Sequence, residues 1–147
     1  MTATHAYTDN GIYTAALRVW DDNNESGLDT APVTVTNVAP VVNAGPDRQV
    51  DEGEGIQFTG TFTDPGTGDN HTVLWTFGDG GSFSGALTPT HVYSEPGMFI
   101  VTLVVTDDDG GVGSDSLTVT VLNLPPTANA GGPYSGDEGA TIPITGT

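Results

Sequence analysis

The chain repeats itself with a fixed period of 86 residues. The sequence THAYTDNG at 4–11 returns as THVYSEPG at 90–97, 86 residues later. The same spacing carries Asp21 to Asp107 and needs no gap over the whole overlap. A fixed long period indicates tandem repeats. A unit of this length is too long for a solenoid turn that depends on its neighbours, and it suits a self-sufficient domain.

The repeat divides the chain into one complete unit and two partial ones. Residues 38–123 form the complete unit, residues 1–37 match its second half, and residues 124–147 match its beginning. We therefore expect independently folded domains connected in series. The partners of each unit would be the neighbouring repeats of the same chain. The junctions NVAP and NLPP both contain proline, which restricts the backbone and predicts a semi-rigid spacer.

Alternation of apolar and polar residues predicts that each unit is all-β. The chain has 21 glycines and 10 prolines among 147 residues, and it is rich in the threonine and valine that suit strands. The rows predicted to face the core are Phe99, Val101, Leu103 and Val105; Leu117, Val119 and Val121; Val73, Trp75 and Phe77; and Ile56 and Phe58. About seven short strands separated by turn signals predict a β-sandwich.

The segment GDGG follows one of these rows directly. Gly78, Asp79 and Gly80 come after Phe77, and they are residue types that tolerate positive φ or bond their own backbone. The segment is therefore interpreted as a tight hairpin turn.

Taken together, WTFGDGG, THVYSEPGMFIVTLVVTDDDGG and SDSLTVTVLN resemble the polycystic-kidney-disease (PKD) domain. That family combines W-x-F-G-D-G, H-x-Y, G-x-Y-x-V and V-x-D, and Phe99 stands here where the family usually has tyrosine. The resemblance covers residues 38–123 and extends to both flanks through the repeat. It implies an immunoglobulin-like sandwich and a non-catalytic extracellular module. Such a module works as a spacer, stalk or adhesion unit of a secreted or cell-surface protein.

The charge and residue types exclude several function classes. The chain has 19 acidic residues against Arg18 and Arg48, for a net charge of -17, so nucleic acids and anionic membrane surfaces would be repelled. No apolar run approaches the length that direct membrane insertion requires. Without cysteine, neither disulfides nor thiolate metal sites can form. No nucleophile with a base and no catalytic carboxylate pair is evident, so we expect no enzymatic activity.

Calcium is the one cofactor that the resemblance suggests. Some PKD domains bind calcium where the linker between domains meets two loops, and calcium prefers carboxylate, amide and carbonyl oxygens. Such an ion would stiffen the linker. The matching positions are Asn37, Asp64, Asp69 and Asp107, with Asp21 and Asn123 as repeat equivalents. The alternative is that these acidic residues form only a solvated surface that keeps the protein soluble.

Two sequons add a weak signal for modification. The sequences NES at Asn24 and NHT at Asn70 would accept N-glycans in a secreted setting.

Two alternative functions stay open. The first is an accessory carbohydrate- or protein-binding module of a secreted hydrolase, for which Phe83, Tyr13 and Trp20 are the aromatic candidates. The second is a subunit of an extracellular filament. In that case the two partial flanks would pair head to tail between molecules instead of remaining disordered, because unpaired strand edges favour association.

Overall fold

The computed structural model describes residues 2–147, and its first element is a β-hairpin. Strands β1 (Gly11–Trp20) and β2 (Ser26–Val35) pair antiparallel in a sheet of their own. The turn between them passes through Asn24, whose φ is 67°. Leu17 and Val19, at positions that match core residues of the complete unit, are each 60% exposed.

The complete unit follows with nine strands. They are β3 (Val41–Asn43), β4 (Arg48–Asp51), β5 (Gly55–Gln57), β6 (Thr61–Thr63), β7 (His71–Thr76), β8 (Ser82–Ser84), β9 (Thr90–Val92), β10 (Gly97–Asp107) and β11 (Val112–Leu122). Five form one sheet in the order β4-β11-β10-β7-β8, and the other four pair as β3 with β6 and β5 with β9. The described residues contain no helix, so the all-β prediction is confirmed, and none of them could cross a membrane as a helix.

The opening strand divides between the two layers, which accounts for one of the two strands beyond the seven expected. Before Gly45 the chain pairs antiparallel with β6, and after it the chain pairs parallel with β11. Gly45 has a φ of 95°, a conformation that favours glycine. Strands of three residues are also too short for alternation to reveal.

The core lies between the five-stranded sheet and the two small pairs. Trp75 has no exposed surface, and its ring centroid lies 5.4 Å from that of Phe58, which comes from the opposite layer. Phe99 is half-buried and stacks on Tyr93 at 4.5 Å. The buried core residues are Ala44, Ile56, Phe58, Trp75, Phe77, Tyr93, Val101, Leu103, Val105, Leu117, Val119 and Val121. This two-layer packing confirms the predicted immunoglobulin-like β-sandwich.

Two glycines are required by this packing. A Cβ on Gly60 would lie 2.7 Å from Trp75 Cζ2, so there is no room for a side chain beside the indole at this position. A Cβ on Gly78 would lie 2.7 Å from the Ile100 carbonyl oxygen, and Gly78 has a φ of 82°. The glycine that follows Phe77 therefore lets the turn pass close beneath β10.

Candidate calcium-binding joint

Four segments meet where the first hairpin joins the complete unit. We call this region the joint and define it as residues 7–10, 36–40, 64–71 and 107–111. The backbone N–H of Gly68 donates to the Thr8 carbonyl at 3.0 Å, which connects the segment before β1 to the loop after β6. The Asn70 backbone N–H donates to Asp108 Oδ1 at 3.0 Å, which ties that loop to the β10–β11 turn.

Asp107 holds the linker against the β10–β11 turn. Its Oδ1 accepts the backbone N–H groups of Asp109 at 3.1 Å and Gly111 at 2.6 Å. Its Oδ2 accepts the side-chain amide of Asn37 at 2.8 Å. Asp107 is only 4% exposed, and a Cβ on Gly111 would clash with its Oδ2. These hydrogen bonds compensate the buried carboxylate for its lost hydration.

Asp64 also has hydrogen-bond partners on both carboxylate oxygens. Its Oδ1 accepts the Gly66 backbone N–H at 2.9 Å, and its Oδ2 lies 2.9 Å from His71 Nε2. The hydrogen bond from His71, and then that from Gly66, lower the pKa of Asp64. Asp64 therefore stays ionised to lower pH than an unperturbed aspartate.

Asp69 is the exception among the acidic residues of the joint. Among the described residues its buried Oδ1 has no hydrogen-bond partner. Burial raises the pKa of Asp69, and the negative charges of Asp64, Asp9, Asp109 and Asp108 raise it further. A carboxylate that lacks donors and faces other carboxylates is stabilised by a bound cation.

The possible ligand atoms fall into two groups that share Asp69. One group is Asp64, Asp69 and His71, and the other is Asp9, Asp69 and Asp109; within each, the ligand atoms lie within 4.8 Å of one another. Carboxylates of this kind suit calcium, which takes six to eight oxygen ligands and completes its shell with carbonyls and water.

The four positions expected from the sequence are thus brought together in two pairs. Asp64 lies with Asp69, whereas Asn37 bonds Asp107. Asn37 and Asp69 also line one small cavity of about 100 Å³ between the linker and the loop after β6. Asn37 and Asp107 are 70 residues apart and meet at the linker, whereas Asp64 and Asp69 belong to the same loop after β6.

Three further residues of the joint were not predicted from the sequence. For Asp9 a signal existed, because its repeat equivalent Glu95 is also acidic, and Asp109 belongs to the acidic run DDDG. The contact of His71 with Asp64 had no such signal, since it depends on the course of the loop between them.

The repeat equivalents of the joint are more exposed. Asp21 Oδ1 accepts the backbone N–H groups of Asn23 at 2.9 Å and Glu25 at 2.8 Å, the same pattern that Asp107 makes in its turn. Asn123 is exposed just after β11, and the next residue, Leu124, donates its N–H to Glu52 Oε1 at 2.8 Å.

The GDGG segment lies in the loop of the β7–β8 hairpin, where hydrogen bonds of Asp79 hold it in place. Gly78 and Gly80 have positive φ values of 82° and 97°. Asp79 Oδ1 accepts the Gly81 N–H at 2.9 Å, and its Oδ2 lies 2.6 Å from Nε2 of His91. Burial raises the pKa of Asp79, but the hydrogen bonds from His91 and Gly81 outweigh burial and lower it overall. The imidazole of His91 stacks on Phe77 at 4.0 Å.

The two sequon asparagines differ in their surroundings. Asn24 is exposed in the β1–β2 turn. The side-chain amide of Asn70 instead donates to Asp108 Oδ2 at 2.9 Å, and this hydrogen bond lowers the pKa of Asp108. Both asparagines are exposed, and they differ in that the Asn70 side chain is held by Asp108.

Comparisons with known proteins give a consistent picture. A family profile described as "PKD domain" matches residues 37–121, more than half of the chain. Collagenase ColQ1 of Bacillus cereus (strain Q1) is 41% identical over 86 residues, which cover 58% of this chain and 9% of the collagenase. A microbial collagenase of Vibrio alginolyticus is 37% identical over 116 residues, which cover 76% of this chain and 14% of that enzyme.

Among solved structures, the chain resembles one described as carbohydrate-binding modules from the β-sandwich superfamily. The TM-score is 0.52 at 30% identity, and the match covers 60% of this chain and 36% of that one. The chain thus spans only a small part of the collagenases and about a third of this solved chain. The matched region is a non-catalytic module in proteins that carry further domains.

Proposed function

Because this chain belongs to the PKD domain family, we propose that it is a spacer of a secreted or cell-surface protein and that calcium stiffens the joint between its consecutive domains. The PKD domain is a non-catalytic accessory module, and the collagenase relatives favour an extracellular enzyme as the parent protein. The proposed contribution of this chain is to fix distance and orientation between larger domains.

One observation carries the calcium proposal. Asp69 places a buried oxygen without a hydrogen-bond partner, among the described residues, between acidic side chains of both units. Asp9 comes from the segment that leads into the first hairpin, while Asp69 and Asp109 come from the complete unit. An ion held by all three would cross-link the two units. Calcium would supply charge neutralisation there, and the protein would supply carboxylate oxygens of suitable chemistry.

The geometry of the hairpin supports the tandem arrangement. In the first hairpin Gly11 pairs with Val35, and 86 residues later Gly97 pairs with Val121. Every later pair of the first hairpin recurs with the same shift. We therefore infer that the first hairpin is the closing β-hairpin of another PKD unit, and that Asn123 begins a joint equivalent to that of Asn37.

A second candidate function is an accessory binding module of a secreted hydrolase. It is favoured by the likeness to the carbohydrate-binding structure, and it is compatible with a spacer, since one module can both separate domains and bind a ligand.

Thermal unfolding tests the calcium proposal. We expect calcium to raise the melting temperature above that measured in chelator, because a ligand bound only by the folded state stabilises it by mass action. Asp69→Asn should abolish this calcium-specific increase, and in chelator it should stabilise the protein because it removes electrostatic repulsion. Glu54→Gln is the matched control, since it removes one charge from an exposed residue outside the joint.

Sodium chloride at the ionic strength of the calcium sample separates binding from screening. If salt alone reproduces the calcium shift, the effect is relief of the -17 net charge. An equal calcium response in Asp69→Asn and the wild type would also contradict the proposed site.

A further inference from the structure

The end of the first hairpin carries an exposed tryptophan that lies outside the joint. Trp20, the last residue of β1, is 58% exposed. The guanidinium carbon of Arg18 lies 5.4 Å from the centroid of its ring, at a distance typical of cation–π contacts. Arg18 pairs across the hairpin with Leu28, which is also 58% exposed. These residues form an apolar platform with a cation at its edge.

The exposure of Trp20 does not depend on what covers the core-facing side of the hairpin. Successive residues of a strand point to opposite faces. Val19 corresponds by the repeat to Val105, which is fully buried, whereas Trp20 corresponds to Thr106, which is half-exposed on the outer face. Any layer that packs on the Val19 side therefore leaves Trp20 in contact with solvent. Trp20 and Leu28 together form an exposed apolar patch of the kind that marks a binding surface.

Polar groups surround the indole. A shallow depression of about 460 Å³ is lined by Val19, Trp20, Asp21, Glu25, Ser26 and Gly27. Asp21 is fixed in place because its Oδ1 accepts two backbone N–H groups of the turn. The depression thus combines an aromatic ring with carboxylate acceptors and a hydroxyl, and Arg18 adds N–H donors beside the ring.

We propose that this platform, formed by Arg18, Trp20, Asp21, Glu25 and Ser26, binds a neutral glycan. One face of a pyranose ring presents C–H groups that stack on an indole, while its hydroxyls both donate to carboxylates and accept from a guanidinium. The net charge of -17 repels acidic glycans and selects uncharged ones. This inference rests on the second candidate function, the accessory binding module, for which it names a site and a ligand class; it does not depend on calcium at the joint.

The complete unit provides a natural contrast. At the positions equivalent to Arg18, Trp20 and Glu25 it has Val104, Thr106 and Gly111, so it lacks the ring, the cation and the carboxylate. The proposed glycan site therefore belongs to the first unit alone, and the second unit serves as an internal negative control within the same chain.

Titration of the full chain with cellohexaose, mannohexaose and N-acetylated chitohexaose tests the proposal. Trp75 is buried and Trp20 is exposed, so binding at the platform should shift the emission of the exposed indole to shorter wavelength. Isothermal titration calorimetry in 0.15 M salt measures the affinity. We expect at least one of these oligosaccharides to bind, and Trp20→Ala to weaken it by about tenfold or more.

Phe83→Ala is the control, because Phe83 is an exposed aromatic on the edge strand β8, away from the hairpin. It should leave the affinity unchanged, and the conservative Trp20→Tyr should retain part of it. Unchanged melting temperatures would show that the variants are folded. Failure of all three oligosaccharides to bind, or equal binding by wild type and Trp20→Ala, would overturn the proposal. So would binding of a proline-rich peptide at Trp20 in their place, which would indicate a protein partner.

Discussion

Replacing Trp75 with alanine should remove the largest single contribution to the sandwich core. The side chain is fully buried, and burial of about 150–250 Å² at about 25 cal/mol per Å² gives about 4–6 kcal/mol. Among the described residues its buried Nε1 has no hydrogen-bond partner, and removing an unpaired N–H recovers about 1–3 kcal/mol. The midpoints of these two ranges give a net loss of about 3 kcal/mol in the free energy of unfolding, within the range known for such deletions.

Urea unfolding of the wild type and the variant measures this loss, and the melting temperature should fall by about 12–24 °C for a domain of this size. Phe83→Ala is the matched control, because Phe83 faces Trp75 across the β7–β8 pair but is 42% exposed. It should cost less than about 1.5 kcal/mol. Equal losses in the two variants, or a loss below about 1.5 kcal/mol for Trp75→Ala, would refute the account of the core.

Three further predictions address the core and the flanks. Burial raises the pKa of Tyr93 to about 12. The contribution of the neutral phenol to the free energy of unfolding should therefore be complete below about pH 10 and lost as pH rises towards 12. Tyr93→Phe should remove this alkaline loss of stability in unfolding titrations. In chemical denaturation, Gly60→Ala should lower the free energy of unfolding by about 1–3 kcal/mol, because the added Cβ would press on the core indole. Gly55→Ala is the control and should have little effect, because the nearest contact of its Cβ would be at 3.6 Å. If the exposed hairpin and the C-terminal flank pair head to tail between molecules, sedimentation velocity should show assembly that increases with concentration; a single monomeric species across the range would contradict self-association.

Much of the fold follows from local pattern in the sequence. The alternating row of Val101, Leu103 and Val105 identifies β10 and its buried face, because one side of a strand must lie against the core. The repeat then extends the same interpretation to the first hairpin. The three-residue strands and the switch of the opening strand between layers could not be predicted this way, since they depend on pairing partners distant in sequence.

The joint was only partly predictable for the same reason. Asn37 and Asp107 are 70 residues apart, and the family resemblance marked both as site residues. The resemblance did not distinguish the structural role that Asp107 plays through its hydrogen bonds from the unsatisfied carboxylate of Asp69. That difference arises from which backbone N–H groups each loop presents, and the sequence does not encode it in any local pattern.

The distance between the two units, measured with and without calcium, tests the proposed stiffening most directly. The chain has no cysteine, so Thr30→Cys with Ser116→Cys places one spin label at each of two exposed, repeat-equivalent positions. Pulsed electron paramagnetic resonance should give a broad distance distribution in chelator and a narrow one in calcium, and Asp69→Asn should remain broad in both. A distribution that is equally wide with calcium, with chelator and with matched sodium chloride would contradict a calcium-stiffened spacer.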